Sequence, residues 1–281
     1  MNQTIFLLLG VLGIAGIASL VSSNDDDHGP EAPPDDPYGG RDRVEGTNQD
    51  DTIEGGDDAE AIQSYDGDDV VHAGGGDDGV WTGYGDDTVT ADAGDDEIYL
   101  GYENDVYGAD DPGVFEGNDT IDGSEGDDTI TTNLGSHSIT GGEDDDVITD
   151  NGGSVHVDGE EDDDLILSAD ASDPEAPDTL LGGDGDDTIH AGAGDIVDAG
   201  KGSDDILLRA DAGGPVDITY GSADELTVTL PADYDGEESY DLVQDGDDVH
   251  VVVNGEVLAV LRNTVIDDVQ TVHFQRETIA T

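Results

Sequence analysis

The sequence predicts an all-β fold: a parallel roll of short stacked strands, with a C-terminal antiparallel β cap and an N-terminal hydrophobic segment. Three observations carry this prediction. An apolar residue recurs at every ninth position, with a carboxylate usually two residues before it, over most of residues 46–207. Glycines punctuate the same period, where the turns between short strands need φ > 0. Past Gly213 the nine-residue period stops and longer alternating apolar runs replace it. A strand this short cannot bury one face alone, but stacked coils build a continuous core from one inward side chain per strand.

The period is clearest at residues 182–190, GGDGDDTIH, which read G-G-x-G-x-D-x-U-x with Ile189 as the large apolar U. Seven units fit residues 46–108 without a gap. They place Ile53, Ile62, Val71, Val80, Val89, Ile98 and Tyr107 at position 8, and Asp51, Glu60, Asp69, Asp78, Asp87, Asp96 and Asp105 at position 6. An insertion, residues 109–113, interrupts. Six more units, residues 114–167, put Ile121, Ile130, Ile139, Ile148, Val157 and Ile166 at position 8 and Asp119, Asp128, His137, Asp146, Val155 and Asp164 at position 6. A second insertion, residues 168–172, precedes four units carrying Leu180, Ile189, Val197 and Ile206, with Asp187 and Asp204 among their position-6 residues. One of the four, residues 191–198, is a residue short, and the expectation is that its position-6 Asp is the one missing.

Position 6 aims a hard carboxylate oxygen into the turn, where backbone carbonyls from the same turn and the next coil would complete an oxygen-rich calcium cage. The predicted metal-holding set is Asp51, Asp69, Asp78, Asp87, Asp96, Asp105, Asp128, Asp146, Asp164, Asp187 and Asp204. The backbone at Gly67, Gly76, Gly85, Gly94, Gly126, Gly183 and Gly185 joins them. A single Asp in a turn is ordinarily there for its own hydrogen bonding, so the argument rests on rows. Units eighteen residues apart share a side of the roll. Asp51, Asp69, Asp87 and Asp105 make one row, and Glu60, Asp78 and Asp96 the other. In the second block Asp128, Asp146 and Asp164 form one row, whereas the opposite row, Asp119, His137 and Val155, has lost its carboxylates and predicts little or no calcium. The neighbouring position-5 residues Asp68, Asp77, Asp86, Asp95, Asp127 and Asp186 are expected to point to solvent.

Composition narrows the partners. With 73 acidic against 6 basic residues the formal charge is -67, and no Lys or Arg occurs between Arg43 and Lys201. That argues against nucleic acid and anionic membrane surfaces, which need cations to neutralise phosphates. Such a charge with 5% aromatics also suits a disordered polyanion, but a polyanion has no reason to keep Ile or Val at every ninth residue. Cysteine is absent, so disulfides and thiol chemistry are excluded.

Taken in order, residues 1–23 form a hydrophobic signal or anchor segment. Its apolar run begins at Ile5 and ends at Val21, and it is the one expected membrane contact. No Lys or Arg precedes the run, so cleavage after Ser23 and retention as an anchor both stay open. Residues 24–44, with Pro30, Pro33, Pro34 and Pro37, are an acidic linker. The roll spans residues 45–208 and the β-rich cap 209–281. Within the cap, strands are expected at residues 216–220 and 226–230, and Asn254-Gly255 predicts a hairpin between 249–253 and 256–261. His72 and His190, at position 9, read as strand residues on the outer face. Trp81 and Tyr99, also at position 9, are outward-facing candidates for a contact surface. Asn118 opens a glycosylation triplet that its turn position already explains. No H-E-x-x-H, G-x-S-x-G or P-loop occurs.

GGDGDDTIH, AGGGDDGVW and TGYGDDTVT resemble the repeats of RTX, or hemolysin-type, calcium-binding proteins, over roughly residues 46–207. The resemblance implies an RTX β-roll with several Ca2+ ions and export through type I secretion machinery directed by a C-terminal signal. It also implies folding triggered by extracellular calcium. Many relatives carry a protease, lipase or cytolysin domain before the roll, where this sequence has a short linker. The sequence therefore predicts a non-enzymatic, calcium-binding protein, secreted or tethered at the cell surface. A calcium-dependent adhesin for a cell-surface glycan and a polysaccharide-acting enzyme on a solenoid face are the alternatives.

Overall fold

A computed structural model describes residues 41–108, 117–168, 177–210, 213–232, 234 and 236–277. The apolar run at residues 5–21 and the proline-rich linker up to residue 40 lie outside the described residues, as do the whole first insertion and residues 169–172 of the second.

Two sheets face each other across a thin core. The first has 13 strands and the second 11, and successive strands of the chain alternate between them. Through the roll each strand pairs in parallel with the strand two places further along. Ile62 therefore lies beside Val80, and Ile53 beside Val71, eighteen residues apart. Where the period alternates Ile or Val inward with Thr, His or Asp outward, the strand is two to seven residues long and cannot run further, because the next turn begins. All seventeen position-8 side chains are buried, at most 6% exposed. At about 1.5–3 kcal/mol for each Ile, Leu or Val buried, this column is the main apolar contribution to the roll.

The insertions do not break the stack. Ile98 pairs with Ile121, and Ile166 with Ile189, so the register is kept across each insertion. The short unit is a correction. Its position-6 residue is not missing: Asp195 stands two residues before Val197, is 1% exposed, and accepts the Asp178 backbone N–H at 3.0 Å. The residue lost falls within Gly192-Ala193-Gly194, a tighter turn that still delivers the carboxylate.

The parallel stack also continues past Leu208. Val216–Thr219 and Glu225–Leu230 pair in parallel with the roll strands before them, and Glu256–Arg262 and Val272–Arg276 add one further strand to each sheet. Antiparallel pairing is confined to Tyr240–Asp245, Asp248–Val253 and Glu256–Arg262. The predicted hairpin turn has φ of 55° at Asn254 and 86° at Gly255, the left-handed pair that Asn-Gly supplies. Val249, Val251, Val253, Ala259 and Leu261 extend the core into this end.

Candidate metal centre

Turns entering the second sheet form one long edge of the roll, and turns entering the first sheet form the other. On the second-sheet edge the position-6 residues are Asp51, Asp69, Asp87, Asp105, Asp128, Asp146, Asp164, Asp187 and Asp204, with Asp224 after them. Each is placed by its strand, since the residue two positions on is locked into the core. Each then straps two coils together. The backbone N–H of Asp51 donates to Oδ1 of Asp69, Asp69 to Asp87, and Asp87 to Asp105, all at 2.7 Å. The chain continues across the first insertion from Asp105 to Asp128 at 2.7 Å and across the second from Asp164 to Asp187 at 2.9 Å. The two separate rows expected from the sequence are thus one uninterrupted row.

Oδ1 is occupied, and Oδ2 is not. The Oδ2 atoms of Asp69, Asp87, Asp105, Asp128, Asp146, Asp164, Asp187 and Asp204 are buried without a hydrogen-bond partner, and so are those of Asp78 and Asp96 on the opposite edge. These are ten of the eleven predicted ligand carboxylates. The exception is Asp51, whose Oδ2 accepts the Thr47 backbone N–H at 2.6 Å and the Thr47 hydroxyl at 2.7 Å. A buried ionised oxygen with nothing to bind costs several kcal/mol, so a row of them needs protons or a cation to be stable.

Burial away from water raises these carboxyls, and neighbouring Asp residues add to the effect. Asp105 is pushed up to about 9 and Asp164 to about 8, Asp87, Asp96, Asp128 and Asp146 to about 7, and Asp69, Asp78, Asp187 and Asp204 to about 6. The turn around each orphan oxygen is lined by backbone. A Cβ on Gly141 would lie 2.3 Å from Asp146 Oδ2, and one on Gly182 2.3 Å from Asp187 Oδ2. Gly85, with φ of +126°, brings its backbone so close to the coil before it that a Cβ would meet the Gly67 carbonyl oxygen at 2.2 Å. Gly67, Gly76, Gly94, Gly126 and Gly183 share the positive φ, whereas Gly185 does not but would clash in the same way, at 1.9 Å from the Asp162 oxygen. No three carboxylate or imidazole groups converge on one point among the described residues. A cage here must take most of its oxygens from backbone carbonyls, which suits a hard cation that accepts six to eight oxygens.

The RTX calcium-binding nonapeptide repeat (4 copies) matches residues 38–64, 45–80, 81–111, 115–136, 140–173 and 175–206, together more than half of the chain. The chain belongs to this family. Comparison with curated proteins finds no match.

The first-sheet edge of this RTX roll is different. Asp119 Oδ2 accepts the Tyr107 hydroxyl at 3.1 Å, and His137 replaces the carboxylate that would strap Asp119. His137 Nδ1 lies 3.1 Å from the Asp119 backbone N–H and 3.3 Å from Asp119 Oδ2. One nitrogen cannot serve both at once. Neutral imidazole accepts from the N–H, as the Asp Oδ1 atoms do, and imidazolium pairs with Oδ2. Burial works against the charged ring, but Asp119, Asp150 and the Leu134 backbone together outweigh it and raise the His137 pKa. At Val155 no side-chain strap remains, and the Val155 N–H donates to Asp178 Oδ1 at 2.8 Å.

The position-5 residues are exposed, as expected, but they are also straps in the RTX coils. Asp86 N–H donates to Asp68 Oδ1 at 3.2 Å and Asp186 N–H to Asp163 Oδ1 at 2.7 Å, so this ladder runs against the position-6 ladder. Trp81 is not an open contact residue: it is 8% exposed and stacks on Tyr99 with centroids 5.9 Å apart. Tyr84 and Tyr102 stack at 4.5 Å beside them, so much of each ring face is spent on its neighbour. His72 and His190 sit half-buried on the second sheet, and burial lowers the His190 pKa. Asp178, Asp195 and Asp224 join the ladder without having been predicted. Their signal was in the sequence, an Asp two residues before Leu180, Val197 and Leu226.

Proposed function

We propose that the roll is a calcium-folded structural unit, non-enzymatic and working outside the cell, in which Asp69, Asp78, Asp87, Asp96, Asp105, Asp128, Asp146, Asp164, Asp187 and Asp204 hold the ions. The observation that carries this reading is the set of ten buried Oδ2 atoms, all without partners and all in the repeated turn position. Calcium bound there would supply the positive charge that the buried row needs. The chain's own groups do the rest. Oδ1 of each Asp keeps the strap to the coil before it, the glycine backbone makes room for carbonyls to approach, and the Ile/Val column fixes the spacing of the turns.

The extracellular setting is supported by the affinity such sites reach. Extracellular calcium modules bind with Kd of about 10⁻⁴–10⁻³ M, far above cytosolic calcium. The sequence also lacks the motifs that would place a nucleophile, a zinc or a nucleotide. Equilibrium dialysis with radioactive calcium tests the assignment. Asp146→Asn keeps the Oδ1 acceptor and removes the charge, so it should lower the number of bound ions, and an unchanged count would contradict the assignment.

A further inference from the structure

We propose that the first-sheet edge from Asp119 onward is a metal-free clasp, in which the protein's own donors replace calcium. The proposal rests on reading the orphan oxygens as the calcium positions. From Asp69 to Asp204 the position-6 carboxylates divide into two groups, while Asp51, Glu60 and Asp224 at the ends of the roll have partners in Thr47, Gly56 and Gly221. Ten have a buried, unpartnered Oδ2. Asp119, Asp178 and Asp195, all on the first-sheet edge, have Oδ2 occupied: by the Tyr107 hydroxyl at 3.1 Å, the Ser168 hydroxyl at 2.8 Å and the Gly192 backbone N–H at 2.6 Å. Between them His137 and Val155 bring no carboxylate at all. A hydroxyl or an N–H pointed at the ligand oxygen satisfies its charge and puts a positive hydrogen where the cation would sit.

The same edge carries both insertions and the shortened turn. Tyr107 and Ser168 end the two second-sheet strands that precede the insertions. Tyr107 occupies an inward slot that Ile or Val fills elsewhere, and its longer side chain reaches the edge. Every turn on the opposite edge from Asp51 to Asp204 keeps its orphan oxygen except the first. One edge is thus uniform and metal-dependent, while the other is closed by hydrogen bonds and carries both insertions. Downstream of Asp96, calcium would fasten the roll along a single edge.

The test compares two triple variants of the full chain by calcium equilibrium dialysis and by circular dichroism. Asp119→Asn, Asp178→Asn and Asp195→Asn together should leave the number of bound ions and the calcium midpoint of folding unchanged. Asp128→Asn, Asp146→Asn and Asp164→Asn, spanning the same coils on the other edge, should lose ions and raise the midpoint. Loss of ions from the first triple variant would overturn the clasp. If the first triple variant does not fold, Tyr107→Phe decides. It removes one oxygen, and it should keep the full calcium count while lowering the thermal midpoint in calcium. A reduced count in Tyr107→Phe would place an ion at Asp119 and refute the proposal. Should the second triple variant also keep every ion, the reading of the orphan oxygens itself fails, a result distinct from ion loss in the first.

Discussion

Asp87 and Asp119 occupy the same repeat position, and on the proposed reading their Oδ1 and Oδ2 atoms separate strapping from ligation. Each accepts a backbone N–H from the coil before it, Asp87 at 2.7 Å and Asp119 at 3.2 Å, so truncating either to Ala removes one strap. Only Asp87 also removes an unpartnered oxygen. Asp87→Ala should therefore weaken calcium binding by about tenfold or more, on the order of 1.4 kcal/mol, while Asp119→Ala should cost stability with little change in affinity. Calorimetric titration of both variants checks this, and equal affinity losses would contradict it. The sequence made Asp87 legible because its neighbours eighteen residues away are also Asp. It could not reveal that Asp119 Oδ2 already has a partner in the Tyr107 hydroxyl, because that contact depends on how far an inward tyrosine reaches. Asp195 was missed for a simpler reason: a fixed nine-residue count hides a turn that shortens without losing its function.

At the scale of elements, the buried row makes the metal-free roll sensitive to acid in an unusual direction. Burial holds these carboxyls at about 6 to about 9 in the folded chain, above the value of about 4 they have when unfolded. The folded state then binds more protons than the unfolded state throughout that window, so stability without metal falls as pH rises through it and is greatest below about 4. In chelator, acidifying from pH 8 to about 5 should increase β structure, read by far-ultraviolet circular dichroism. A signal that stays flat or decreases on acidification would contradict the burial of the row. The alternating strands and the Asn254-Gly255 hairpin were legible because pattern and turn chemistry are local. The continued parallel pairing of Val216–Thr219 and Glu225–Leu230 was not, since a strand whose spacing leaves the nine-residue count carries no mark of its partner.

For the whole molecule the controlling quantity is charge. A chain of formal charge -67 must overcome its own repulsion to become compact, and its core is thin, mainly one Ile, Val or Leu per strand with a smaller residue such as Ala73 or Ala91 beside it. Each calcium removes two negative charges and joins adjacent coils, and a site at a hundred times its Kd adds about 2.7 kcal/mol to stability. A few such sites match the whole net stability of an ordinary domain, about 5–15 kcal/mol. Magnesium should substitute poorly, because it prefers a smaller octahedral shell and keeps its water. The direct test is far-ultraviolet circular dichroism of the full chain at neutral pH, titrated with calcium, with magnesium, and with calcium followed by chelator. The calcium titration should show a cooperative rise of parallel-β signal that chelator reverses and equal magnesium does not produce. A β signal that persists in excess chelator, or one that magnesium restores equally well, would contradict a roll held together by calcium.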